Sequence, residues 1–125
     1  MNEPIDKPNL DRDGWTLESA VSRSETNPNT FLIPSESERT SIGVGQGVKL
    51  VFWIQGEEEF PICERMWVLV ERRHSEGSYV GRLESTPESA GRLNRGQRLI
   101  FGPEHVAEIY AGSTGYEEGS RRGEA

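Results

Sequence analysis

Cysteine occurs once, at Cys63, so the chain forms no internal disulfide, which suits a reducing compartment. Aspartate is confined to Asp6, Asp11 and Asp13, and every later acid is a glutamate. That argues against Asp-based metal loops and Ser-His-Asp triads in the body of the chain. Lysine occurs only at Lys7 and Lys49, against twelve arginines. Histidine occurs only at His74 and His105. No apolar run approaches the roughly 20 residues of a membrane-spanning helix. The first eight residues have neither the basic nor the apolar region of a signal peptide. The expectation is a soluble, cytoplasmic protein without membrane contact.

Apolar residues are also scarce, at 33% of the chain, and eight of the ten aromatics lie between residues 31 and 110. That middle is long enough for a modest single core. Residues 1–13 mix proline, asparagine and charge, with Ile5 and Leu10 alone to bury, and read as a disordered or loosely docked arm. Residues 113–125 are mainly glycine, serine, glutamate and arginine and read as a disordered tail. Residues 14–112 are then one domain. The net charge is −7, which disfavours general phosphate binding and suits a basic protein partner. Moderate acidity also serves solubility alone.

The densest apolar stretch, residues 48–83, holds Trp53 and Trp67. In residues 48–55, Val48, Leu50, Phe52 and Ile54 alternate with Lys49, Val51, Trp53 and Gln55. Both faces carry bulky apolar groups, so this is a central strand with one face in the core and the other partly covered. Residues 64–73 form a second long strand, and residues 78–83 pair with it as a hairpin. Shorter strands are expected at residues 30–33, 98–101 and 106–110. Residues 15–21 read as a short helix or an irregular segment. Ser35 and Glu38 fit a capping box, and Thr86-Pro87-Glu88 fits the start of another short helix. Several features recur 51 residues apart: Ser35 and Thr86, Ile42 and Leu93, Gly45-Gln46 and Gly96-Gln97, Val48 to Leu50 and Leu99 to Phe101. Each copy reads as a capped turn, a buried apolar anchor, a glycine reversal and a strand.

Four segments together resemble a bacterial family defined only as domain of unknown function 2314. They are Phe31-x-Ile33-Pro34, residues 45–52 (GQGVKLVF), Glu64-Arg65-Met66-Trp67-Val68-x-Val70, and Tyr79-Val80-Gly81-x-Leu83. The resemblance spans about residues 14–110. It implies a compact β-rich domain of prokaryotic origin and supplies no reaction. Members often carry aspartate where Gln46 stands here. Related small domains occur among bacterial toxin-immunity proteins, which act by binding; that link is an analogy of fold.

Chemistry-bearing residues are few. Glu57-Glu58-Glu59 reads as solvated loop carboxylates, so no metal or cofactor is expected. His74 and His105 each lie near a glutamate, as general bases do, but loop histidines at the surface are far commoner. Glu64 with either histidine defines the one enzymatic alternative. Cys63 is expected to be a buried, inert thiol. The Gly43-x-Gly45-x-Gly47 series precedes a strand and lacks the Lys-Ser/Thr of a phosphate loop.

The fold expected is mainly β: five or six short strands in a strongly bent antiparallel sheet or SH3-like barrel, with two short helices. The function expected is a non-enzymatic binding module for another protein, with toxin immunity as a specific form. Its partner surface is assigned to Trp53, Arg65, Trp67 and Arg82, where exposed aromatics and arginines make hot spots. The alternative is a nucleic-acid-binding barrel using Arg72, Arg73, Arg92, Arg95 and Arg98.

Overall fold

A computed structural model describes residues 6–89 and 91–110. The protein is mainly β. Six antiparallel strands form one nearly closed, barrel-like sheet: β1 (Trp15–Leu17), β2 (Gly47–Ile54), β3 (Ile62–Arg73), β4 (Tyr79–Leu83), β5 (Arg98–Phe101) and β6 (Val106–Ile109). Short helices α1 (Leu10–Asp13), α2 (Ala20–Thr26) and α3 (Glu36–Arg39) lie among the connections.

β2 is the hub of the sheet. It pairs with β3 along its whole length. Its other edge is shared by β1, opposite Phe52 to Ile54, and β6, opposite Val48 to Leu50. Val48, Leu50, Phe52 and Ile54 are all fully buried in the barrel interior. Met66, Val68, Val70, Tyr79, Leu83, Leu99, Phe101 and Val106 meet them there. The outer face has a second, smaller core in which Val51 packs with Ala20 of α2, Phe31 and Ala107. The apolar character of both faces of β2 therefore answers to two cores on opposite sides of one sheet.

β3 is longer than its partners and serves two of them in succession. Its first part pairs with β2 and its last part with β4, with a bulge between Val70 and Arg72. A bulge adds a residue on one strand and bends it, which lets a single strand turn the corner of a small barrel. The hairpin from β3 to β4 closes through Ser75 and Ser78, with Glu76 (φ 58°, ψ 34°) and Gly77 (φ 80°) both left-handed. That is a type I′ arrangement, whose handedness suits twisted strands. Glu76 holds a conformation that costs a non-glycine residue about 1–2 kcal/mol.

The 51-residue recurrence is real at the turns. Gln46 N–H donates to Gly43 O and Gln97 N–H donates to Asn94 O, with Gly45 (φ 93°) and Gly96 (φ 94°) in matching positions. In the first copy Gly45 N–H donates to Val70 O, and Gln46 O accepts from Val70 N–H. In the second, Gly96 N–H donates to Leu83 O, and Gln97 O accepts from Leu83 N–H. The anchors Ile42 and Leu93 are 1% and 2% exposed, so each turn is pinned to the core from below.

The helical half of the recurrence fails. Ser35 and Glu38 make the expected capping box at α3. No helix forms at Thr86; residues 84–89 run irregularly beside β3. Glu64 accounts for this, because its carboxylate accepts from the backbone amides of Glu88 (3.0 Å) and Ser89 (2.7 Å) and from the Ser89 hydroxyl (2.5 Å). The amides that would open a helix are satisfied from across the sheet instead. Two further expectations change. Residues 30–33 are not a strand: Thr30 and Phe31 donate their amides to Asn27 O, closing the end of α2. Residues 15–21 divide into β1 and the start of α2, whose N-cap is Ser19.

The arm read as disordered or loosely docked over residues 1–13 is docked in its described part. Asn9 caps α1, Lys7 pairs with Glu104 at 3.5 Å, and Pro8 O accepts from the Thr16 hydroxyl. Residues 1–5 and the tail 113–125 lie outside the described residues.

Candidate functional site

The outer face of β2 and β3 positions the residues assigned to partner binding. Cross-strand register sets Trp53 opposite Cys63, Val51 opposite Arg65 and Lys49 opposite Trp67; Leu69 of β3 stands opposite Arg82 of β4. All four candidates therefore share one face. They do not form one site. Phe31 and α2 lie over Val51, midway between the two tryptophans.

Each tryptophan is fixed by its neighbours. Trp53 Nε1–H donates to Glu18 Oε1 at 2.8 Å, and Glu18 also takes two hydrogen bonds from Arg23, at 2.9 and 2.8 Å. The Arg23 guanidinium, opposed by burial and aided by the Trp53 indole, holds the Glu18 carboxyl below its ordinary range. A carboxylate lowered on folding contributes stability above its ordinary value near 4.5, and that stability is lost as pH falls through the lowered value. Glu18→Gln is therefore expected to lower the urea midpoint at pH 7 more than at pH 3, giving a shallower acid limb. Trp67 has Lys49 Nζ 4.7 Å above its ring and the Tyr110 ring edge-on at 5.9 Å. Arg82 lies between Glu71 (3.1 Å) and Glu84 (2.9 Å).

Arg65 differs from these. It is exposed, and its guanidinium lies 4.9 Å from the Phe31 ring. Among the described residues no carboxylate pairs with it. Phe31 holds Arg23 at 5.3 Å as well, so two cations share one aromatic ring while one of them already has its anion.

The arginines of the nucleic-acid alternative are dispersed. Arg98 pairs with Glu71 at 2.8 Å, and Arg95 lies 3.7 Å from Glu84. Arg73 donates to the carbonyls of Ile42 and Thr40 and covers the Tyr79 ring. Arg92 packs against Gly14 and donates to Arg12 O at 3.4 Å. Arg72 is exposed near the end of β3. These side chains serve at least three separate structural contacts.

Neither histidine meets Glu64 in a shared cleft, although Cys63 does. The hollow at Glu64, about 430 Å³, is bordered by Gly56, Glu57, Glu58, Ile62, Cys63, Glu88 and Ser89, and neither histidine lines it. His105 Nδ1 accepts from Gly102 N–H at 3.0 Å, which uses the ring to close its own turn, and burial holds its pKa below the ordinary value. Burial pushes the Cys63 thiol up, the direction of an unreactive cysteine. Among the described residues, no three His, Cys, Asp or Glu side chains gather to hold a metal ion.

A hollow beside this face was not expected. A groove of about 650 Å³ is lined by Leu32, Ile33 and Pro34, by Glu38, Ser41 and Gln46, and by Ala107, Glu108, Ile109 and Tyr110. Leu32 is 76% exposed at its rim. A smaller hollow of about 230 Å³ continues it and is lined by Lys49 and Arg65, sharing Leu32, Ala107 and Glu108 with the groove. Arg65 is thus the one sequence-assigned residue that borders the groove system. The other walls come from segments about 75 residues apart in sequence, so no local pattern could announce them.

No family model, curated protein or solved structure matches the chain. Among the described residues no helix is long and apolar enough to cross a membrane.

Proposed function

We propose that the protein is a non-enzymatic binding module that recognises another protein through the groove beside β6. One observation carries this reading. Trp53, Trp67 and Arg82 are tied to named partners, whereas the groove system joins an exposed leucine, further apolar residues and an arginine that no carboxylate pairs with among the described residues. Its volume lies within the roughly 300–1,000 Å³ of ligand-sized sites. An exposed apolar hollow rimmed by charge is the ordinary mark of an interaction surface.

The resemblance to the bacterial family 2314 implies a compact β domain, which this reading uses. Toxin immunity would be one form of such binding. The enzymatic alternative draws no support from the site, since Glu64 is occupied by residues 88–89 and both histidines lie outside its hollow.

The test is affinity capture from the native cell by the intact chain and by Leu32→Asp. Leu32 contributes little to the core, so the variant folds normally. The expected outcome is one stoichiometric partner retained by the wild type and lost from Leu32→Asp. Retention of the same partner by both proteins, or of none by the wild type, would contradict the proposal.

A further inference from the structure

Four consecutive residues, Ala107 to Tyr110, line the groove. Side chains on a strand point alternately to opposite faces. Consecutive residues can therefore border one hollow only along the strand's edge. The pairing agrees. Among the described residues β6 pairs with β2 alone. Val48 stands opposite Ile109, and Tyr110 N–H donates to Gly47 O. In an antiparallel ladder that bond makes Val48 and Ile109 a non-hydrogen-bonded pair, so the N–H and C=O of Ile109 point away from β2, toward the open edge that the groove borders.

The opposite wall does not close this edge. Residues 32–34 belong to no strand, and among the described residues no backbone hydrogen bond joins them to β6. Pro34 has no N–H to offer. The groove of about 650 Å³ lies beside this edge. An unpaired strand edge is a ready template for another strand.

We propose, on the basis of the binding reading above, that the partner contributes an extended segment that adds to the free edge of β6. The segment is about four residues long, matching β6 at about 3.3 Å per residue. Its side chains alternate, one set on the outer face with Leu32 and Ile33 and the other on the face of Ile109. At the end near Ala107 it carries a carboxylate. Lys49 is engaged there by Glu108 at 3.5 Å and by the Trp67 ring, whereas Arg65 has only the Phe31 ring among the described residues. An acidic side chain completes that arrangement by pairing with Arg65 across the smaller hollow. Main-chain hydrogen bonds thus give affinity and the carboxylate gives register, as in other strand-addition complexes.

The test is titration of the isotope-labelled intact chain with a synthetic hexapeptide, one glutamate followed by alternating threonine and valine so that the glutamate and the valines share one face, read by amide chemical shifts. Shifts at Ala107, Ile109 and residues 32–33 are expected, with slowed exchange of the Ile109 amide. Replacing the glutamate by glutamine should weaken binding about three- to five-fold, as for a partly exposed ion pair. Arg65→Gln should abolish that difference while leaving the fold unchanged. N-methylation of the peptide amides facing β6 should eliminate binding.

Equal binding of the methylated peptide, equal binding of the glutamine peptide to the wild type, or no shifts at millimolar peptide would overturn the proposal. So would β6 shifts that appear on concentrating the protein alone, which mark a second copy at the edge. Peptide competition that is gained only after residues 111–125 are removed would assign the groove to the chain itself. Loss of the captured partner in Leu32→Asp together with a negative peptide result leaves the binding reading standing and removes strand addition. Capture insensitive to Leu32 removes the binding reading itself.

Discussion

Phe52→Ala is expected to cost about 3–5 kcal/mol, the range for truncating a buried phenylalanine. Phe52 is fully buried at the centre of β2, where β1 and β3 flank it on either side. Its ring lies 5.9 Å from that of Trp15, which roofs this end of the barrel. The strands around it are tied by their own hydrogen bonds, so the site cannot collapse to fill the space. A domain of this size has about 5–15 kcal/mol of stability in total. The variant should therefore show a urea midpoint near the foot of the transition, or lack a cooperative transition altogether. A loss below about 1.5 kcal/mol, typical of well-accommodated core swaps, would show that the core does not centre on β2.

Gly81→Ala is expected to be the second severe change, although it adds only one methyl group. Gly81 lies in the middle of β4, paired with Val70 on one side and Leu99 on the other. A methyl carbon at this position would stand 2.5 Å from Val68 Cγ1, 3.0 Å from Leu69 O and 3.1 Å from Phe101 Cε1. Val68 can rotate, but the Leu69 carbonyl belongs to β3 and cannot withdraw without disturbing the ladder. Phe101 is stacked on Tyr79 at 5.3 Å and is equally confined. Overpacking of this kind costs about 1–3 kcal/mol, occasionally more. The glycine is required by space, because Val68, the Leu69 carbonyl and Phe101 already occupy the position a side chain would take. Chemical denaturation checks the prediction, and a change within about 0.5 kcal/mol, the usual span for surface positions, would contradict it.

Much of this architecture was legible in the sequence. Alternation along residues 48–54 and 66–70 marks β2 and β3, because a strand with a core on each face must be apolar at almost every position. The Gly-Gln turns were legible because a left-handed position ahead of a strand selects glycine. β1 was not, since the three residues Trp15–Leu17 are too few to establish a period. The false helix at Thr86 had sound local signals. It was overruled by the Glu64 carboxylate, which reaches those amides from a strand more than twenty residues earlier.

The site was less legible than the fold, for a related reason. Arg65 was identified from its place among apolar neighbours, and the structure gives it the exposure that a partner needs. Trp53, Trp67 and Arg82 carried the same signals, yet Glu18, Lys49, Tyr110, Glu71 and Glu84 occupy them. A sequence shows that a residue can bind but not whether its own chain has already bound it. The groove itself is a property of a strand edge, and edges are decided by pairing. Nothing in residues 106–109 states that β2 will take one side and leave the other free.

The most direct measurement is amide chemical-shift mapping of the labelled protein with its captured partner. The perturbed amides are expected to cluster at Leu32, Ile33, Arg65 and Ala107 to Tyr110. Perturbation centred instead on Arg72, Arg73, Arg92, Arg95 and Arg98, or around Trp53 with the β6 edge unchanged, would contradict the assignment of the groove as the binding surface.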